Sequence, residues 1–122
     1  MKLAFDNSRP IFEQIAEALR HDILQGNPPP GGRITPVREM ALQYGVNPNT
    51  LQRALALLED EGLLYTERTN GRFVTQDAAI IDSLREKLQT QVMRESIAKF
   101  HGIGIAKETA IAHLKQHWED FL

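Results

Sequence analysis

Polar side chains that can read DNA bases are concentrated at the start of an otherwise apolar helical segment, in the run NPNTLQR from residue 47 to residue 53. A helix start needs only one capping side chain, worth about 1 kcal/mol, and Asn47 before Pro48 already supplies it. Asparagine, glutamine and arginine form paired hydrogen bonds with the edges of adenine and guanine. The other polar residues of this run are not needed as caps. The sequence therefore predicts base or phosphate contacts by Asn49, Thr50, Gln52 and Arg53.

Two short helices joined by a glycine-containing turn would position this polar run. Thr35 before Pro36 is typical of a helix start with the threonine as cap, and Gly45 marks the end of that helix. The next helix begins at Asn47-Pro48. Its apolar face is formed by Leu51, Ala54, Leu55 and Leu58. The spacing predicts a helix-turn-helix motif, in which the second helix directs its N-terminal end at base edges in the major groove.

A β-hairpin is predicted after Gly62, where the apolar periodicity changes from helical to alternating. Asn70-Gly71 is the strongest short hairpin signal, because both residues tolerate the positive φ of a type I′ turn. Arg68 and Arg72 bracket the tip, where they are positioned to meet a phosphate backbone or a minor groove. A hairpin whose arginines are simply solvated remains the alternative.

Two amphipathic helical segments follow, from about residue 78 to 100 and from about residue 106 to 122, with glycines at 102 and 104 between them. Two such helices cannot bury both apolar stripes by themselves and need a partner surface. A second copy of the chain is the simplest partner. The residues predicted to form the dimer interface are Leu84, Leu88, Val92, Ile97, Ile111, Leu114 and Trp118.

Composition narrows the class of protein. With 122 residues, 42% of them hydrophobic, the chain can form one compact core and a small appendage, but not a large enzyme domain. It has no cysteine, which excludes disulfides and thiolate metal sites and fits a reducing compartment. No stretch approaches the ~20 apolar residues of a membrane helix, so we expect a cytoplasmic protein without a membrane partner.

Residues 10 to 75 resemble the GntR-type bacterial transcriptional regulators, through the run from PIFEQIAEALR to ALALLEDEGLL and the hairpin TNGRFV. The short two-helix tail is similar to the YtrA-type subgroup. The resemblance implies a winged-helix regulator that dimerises through the tail and has no large effector-binding domain. Regulators of this kind often control transporter genes.

The resemblance also assigns residues. It places the DNA-contacting arginine of the family at Arg38 and the wing-tip glycine at Gly71. The recognition-helix positions fall on Asn47, Asn49, Thr50, Gln52 and Arg53. One departure concerns the run Ile34-Thr35-Pro36, where the family usually has Leu-Pro-Ser, so that a proline replaces the serine often used near phosphate.

Other clusters are read as structural. Glu59-Asp60-Glu61 is interpreted as a solvated helix end, because no second ligand group lies nearby in the sequence. His113 and His117 have the i, i+4 spacing of zinc-binding pairs, but without a third ligand they are interpreted as polar surface. No catalytic motif occurs, so the chain is not expected to be an enzyme, and no cofactor or metal is predicted.

The sequence thus predicts a mainly α protein, an α+β winged helix-turn-helix over residues 1–77 with a two-helix dimerisation tail over residues 78–122. The predicted partners are a double-stranded, pseudo-palindromic DNA operator and a second copy, with repression the expected outcome. The sequence does not identify an effector. The net charge of −2 keeps open a second hypothesis, a winged helix that serves as a protein-interaction module.

Overall fold

The computed structural model describes residues 4–121, and this part of the chain forms five helices and one two-stranded antiparallel sheet. In chain order the elements are α1 (Ile11–Leu24), α2 (Val37–Tyr44), α3 (Pro48–Asp60), β1 (Leu64–Glu67), β2 (Gly71–Val74), α4 (Ala78–Gly102) and α5 (Lys107–His117). The predicted mainly α, winged helix-turn-helix fold is confirmed.

The chain divides into two compact units, with the division between Ser83 and Leu84. We call the described residues up to Ser83 the winged-helix unit and those from Leu84 onward the tail. The first residues of α4 belong to the winged-helix unit, where Ile81 is buried. Within residues 4–121, no helix combines the length and the apolar character needed to cross a membrane.

The core of the winged-helix unit lies mainly between α1 and α3. Helix α3 contributes four side chains that are completely buried, and α2 packs against it through Met40 and Ala41. The four are the residues at the predicted apolar positions, Leu51, Ala54, Leu55 and Leu58. Because this face is fixed in the core, the opposite face of α3 is held toward solvent.

The turn between α2 and α3 forms as the sequence predicts. Gly45 ends α2 in the left-handed conformation, with φ 69° and ψ 40°. Asn47 caps α3, because its Oδ1 accepts a hydrogen bond from the amide of Asn49 at 2.7 Å. The predicted cap at Thr35 is wrong: Pro36 occupies the position before α2, and no side chain caps that helix.

The hairpin is present, but its turn differs from the predicted type. β1 and β2 are antiparallel, Glu67 pairs with Gly71, and three residues connect them. The amide of Asn70 donates to the carbonyl of Glu67 at 3.1 Å. A type I′ turn needs positive φ at two residues, whereas here only Gly71 has it, at 104°. With one more residue in the loop, only Gly71 has to adopt a positive φ.

The segment before α2 runs beside the hairpin. Arg33 forms a bridge with Phe73, the amide of Ile34 donates to the carbonyl of Arg72 at 2.8 Å, and the amide of Val74 donates to the carbonyl of Gly32 at 2.9 Å. Residues 31–34 thus form a third edge beside the hairpin, hydrogen-bonded to β2. It connects β2 directly to the start of α2.

The tail contains most of α4, from Leu84 to Gly102, and all of α5, and none of its described side chains is buried. Large apolar side chains are instead exposed there, Trp118 by 66%. A groove of about 730 Å³ is lined by the apolar side of α5 together with Phe100 and Ile105. His117 is one of the lining residues, and its Nδ1 lies 2.7 Å from Oδ2 of Asp120.

Candidate nucleic-acid interface

The N-terminal half of α3 presents polar side chains to solvent. Asn47, Asn49, Gln52 and Arg53 are exposed, and Thr50 is half-buried. The oxygen of Asn47 is occupied by the helix cap, so Asn47 positions the first turn of α3. Asn49 and Thr50 follow it at the tip of the helix. The structure thus gathers the predicted residues at one end of α3, but Gln52 and Arg53 point to different neighbours.

Gln52 faces the wing, by which we mean β1, β2 and their connecting loop. Its Oε1 accepts a hydrogen bond from Nη2 of Arg72 at 2.9 Å. Nε of the same guanidinium donates to Oε1 of Glu59 at 2.6 Å, and Oγ1 of Thr66 donates to that oxygen at 2.7 Å. Arg72 therefore links the hairpin to two points along α3, which holds the wing against the helix.

Arg53 lies on the other side of α3. Its guanidinium carbon is 3.8 Å from the centre of the Phe12 ring in α1. Such a cation–π contact contributes roughly 0.5–1 kcal/mol at an exposed site. The contact orients Arg53 along the surface between α1 and α3, while its guanidinium hydrogens remain available to a ligand.

A groove between the start of α2 and the wing is lined by Arg33 and Arg68 together with Arg72, which was described above. The groove has a volume of about 340 Å³. Arg38 is exposed in the first turn of α2. Within residues 4–121, Arg33, Arg38 and Arg68 make no ion pair, so their positive charge is not offset by a bonded carboxylate. The groove is suited to an anion such as phosphate.

Arg33 is a candidate that sequence reasoning missed. Its guanidinium lies over Gly71, where an added Cβ would be 3.2 Å from Nε of Arg33. With φ at 104° and this side chain above it, position 71 requires glycine. The pairing of this segment with β2 brings Arg33 to the wing tip, and no local signal in the sequence indicates that pairing.

Asp60 and Glu61 are exposed, as expected of a solvated helix end, whereas Glu59 is half-buried, and both glutamates form ion pairs that were not predicted. Glu59 binds Arg72 and Thr66, as described above. Glu61 forms a paired hydrogen-bonded contact with Arg20 of α1, at 2.8 Å and 2.5 Å. Only Asp60 remains exposed without such a contact among the described residues. The acids fasten the end of α3 to α1 and to the wing.

The environment of Glu59 favours its charged form. Burial of the carboxyl raises its pKa, but hydrogen bonds from Thr66 and Arg72, together with the charge of Arg72, outweigh burial and hold the pKa below its ordinary value. The carboxylate is therefore ionised at neutral pH, and the bond to Arg72 is charge-assisted. Within residues 4–121, no three His, Cys, Asp or Glu side chains are grouped to hold a metal ion.

Comparison with known proteins places this arrangement among DNA-binding regulators. Residues 11–74 match the family model described as bacterial regulatory proteins, gntR family. The chain is similar to the HTH-type transcriptional repressor YtrA of Bacillus subtilis, with 30% identity over 90% of this chain and 85% of the relative.

Two solved structures are also similar. A GntR family transcriptional regulator from Listeria monocytogenes has a TM-score of 0.84 and 37% identity, and the alignment covers 92% of this chain and 98% of that one. The DNA-binding domain of AraR in complex with operator ORX1 has a TM-score of 0.53 and 29% identity, covering 62% of this chain and 92% of that one.

Proposed function

Because the chain belongs to the GntR family of bacterial regulatory proteins and is a DNA-binding transcriptional regulator of that family, we propose that it binds a pseudo-palindromic operator as a homodimer. The observation that carries the proposal is the exposed polar N-terminal face of α3, which lies beside a wing whose Arg68 makes no ion pair within residues 4–121. One face of the helix is fixed by complete burial of four apolar residues, so the other is presented in one orientation.

The residues divide by the contact they would make. Asn49, Thr50 and Gln52 lie at the tip of α3 or face the wing, and we assign them to base edges. Arg33 and Arg68 line the groove and Arg38 is exposed in the first turn of α2, and we assign all three to the phosphate backbone. Arg53 contacts DNA while stacked on Phe12. Asn47, Gly71 and Arg72 hold the helix start and the wing in place, and Arg72 also adds charge at the groove.

The tail supplies the dimer in this proposal. The predicted interface residues remain accessible in the single chain: Val92 is 58%, Ile97 49%, Ile111 41% and Leu114 45% exposed. A soluble monomer rarely exposes so many large apolar side chains on one pair of helices, which supports burial against a second copy. Leu84, Leu88 and Trp118 complete the proposed interface. Dimerisation would present two α3 helices to half-sites about one helical turn apart.

Repression is the proposed outcome of binding, supported by the similarity to the YtrA repressor. We place the protein in the cytoplasm, where its DNA target lies, and propose transporter genes as targets on the basis of the resemblance to that subgroup.

The experiment that tests the proposal is selection of bound sequences from a random duplex library at two salt concentrations. We expect an enriched inverted repeat whose affinity falls steeply with salt, because binding releases counterions from the phosphates. A protein-interaction module, the function that the net negative charge favours, would enrich no sequence. Lack of enrichment at both salt concentrations would therefore contradict the proposal.

A further inference from the structure

We propose that Arg72 determines the base preference of Gln52, so that Gln52 presents hydrogen-bond donors to DNA and selects guanine over adenine. The inference rests on the proposed function, since it concerns how the same site reads its operator. Arg72, a residue of the wing, would thus influence how a base is read although the wing does not contact that base.

The orientation of the Gln52 amide follows from the chemistry of its partner. A guanidinium has only hydrogen-bond donors, so the glutamine atom that lies 2.9 Å from Nη2 of Arg72 must be the carbonyl oxygen. The amide nitrogen of Gln52 then points away from Arg72. Because Gln52 is exposed, its two N–H groups are available to a ligand, while its oxygen has one lone pair engaged and is held toward Arg72.

Arg72 is itself held in place by two acceptors on α3, Glu59 and Gln52. Its side chain is 23% exposed, and Nε is fixed by Glu59 at 2.6 Å. Thr66, the cross-strand neighbour of Arg72, donates to the same carboxylate oxygen at 2.7 Å. Gln52 and Glu59 are two turns apart on α3 and thus share one face of the helix. The planar fork of the guanidinium bridges these two positions.

The two purines differ at the edge that Gln52 would meet. Guanine offers two acceptors in the major groove, N7 and O6, whereas adenine offers the acceptor N7 and the donor N6–H₂. Paired recognition of adenine needs both the oxygen and the nitrogen of a glutamine amide. With the oxygen turned toward Arg72, the amide N–H groups are the part of Gln52 presented to DNA; they match guanine, and the adenine amino group faces a donor.

Binding of variant proteins to single-base variants of the selected operator tests the inference. Gln52→Ala identifies the position that Gln52 reads, because preference is lost there. At that position we expect wild-type protein to favour guanine over adenine roughly tenfold or more. Arg72→Met, which retains the apolar stem, should reduce the ratio to about threefold or less. Arg72→Lys keeps the charge but lacks the planar fork of the guanidinium, so it should also reduce the guanine-to-adenine ratio. It replaces the methionine variant in the test if that variant does not fold.

Arg68→Met is the matched control, since it removes the same charge from the wing without touching Gln52. It should weaken binding to all sequences about equally and leave the guanine-to-adenine ratio unchanged. A preference for adenine in wild-type protein, or an unchanged ratio in a folded Arg72 variant, would overturn the inference and leave the proposed function intact. If Gln52→Ala alters no position, the inference is likewise wrong. If wild-type protein enriches no sequence, the proposed function fails and the inference fails with it.

Discussion

The winged-helix unit and the tail bury their apolar residues to opposite extents. All the buried apolar side chains of the described residues lie in the winged-helix unit, between Ile15 and Ile81. Most of the large apolar side chains that remain exposed lie in the tail, from Val92 to Phe121. The first unit satisfies its hydrophobic pattern within one chain, whereas the tail has the same kind of pattern and leaves it uncovered.

This difference shows that an amphipathic pattern alone does not indicate whether an apolar face is buried within the same chain or against a second chain. In α3 the apolar stripe meets α1 and α2 of the same chain. In α5 the stripe has no described side chain that is buried. Burial of a leucine-sized side chain contributes about 1.5–3 kcal/mol, so the uncovered stripes represent stabilisation that assembly can supply.

The largest effect is expected where charges are placed in the tail. Leu88→Asp with Trp118→Asp should give monomers, because a charge buried without a partner costs roughly 3–5 kcal/mol. Light scattering of the purified protein measures the change. Leu42→Asp is the control: Leu42 is an 82% exposed residue of the winged-helix unit, and its substitution should leave the dimer intact. Dimers that persist in the double variant would show that the tail is not the interface.

Truncation of an apolar side chain should have different effects in the two units. The loss of stability should depend on protein concentration in the tail but not in the winged-helix unit. Leu55→Ala, at a completely buried site, should lower the free energy of unfolding by about 2–5 kcal/mol at any protein concentration. Leu114→Ala, 45% exposed in the single chain, should destabilise the protein only through dimerisation. Denaturant unfolding at two protein concentrations distinguishes them. An equal, concentration-independent loss in both variants would contradict the comparison.

Loss of one arginine should matter in the winged-helix unit and not in the tail. Arg38→Ala should weaken operator binding by roughly 1–3 kcal/mol. Arg94→Ala removes the same charge from α4 and should leave the affinity nearly unchanged. Fluorescence anisotropy with a labelled operator measures both. Unchanged affinity in the Arg38 variant would rule out its assigned role.

The smallest effect concerns pH. Because the pKa of Glu59 is lowered in the folded protein, its contribution is present above the unfolded pKa near 4.5 and is lost as pH falls through the folded value. Glu59→Gln should therefore destabilise the protein by about 0.2–1 kcal/mol at neutral pH, and the difference should shrink in acid. Urea unfolding from pH 3 to pH 7 measures it. A difference that stays constant with pH would show that the charge of Glu59 is unimportant.

Local signals in the sequence predicted most of the fold. The start of α3 follows from Asn47 and Pro48, and its buried face follows from the spacing of its leucines, because capping and periodicity depend on neighbours within a turn or two. The positions of α2 and the hairpin were found in the same way. The predicted threonine cap was wrong because Pro36 occupies the position before α2. The predicted turn type was wrong because the hairpin loop has one additional residue.

Contacts between distant residues were not accessible to sequence reasoning. Arg72 meets Glu59 and Gln52, and Arg20 meets Glu61, across 13, 20 and 41 positions of the chain. No periodicity or motif relates these pairs, because the tertiary packing of α1, α3 and the hairpin brings them together. The candidate site was thus predicted as a set of residues, but not the bonds that orient them.

The third edge formed by residues 31–34 bears on the thermodynamics of DNA binding. It is hydrogen-bonded to β2 on one side and leads directly into α2, while Arg72 fastens β2 to α3. Hairpin, α2 and α3 are consequently ordered before any ligand arrives. The backbone of these elements then has little conformational entropy to lose on association, and the cost of ordering falls mainly on the exposed side chains that contact the DNA. The winged-helix unit meets its operator as a preorganised body.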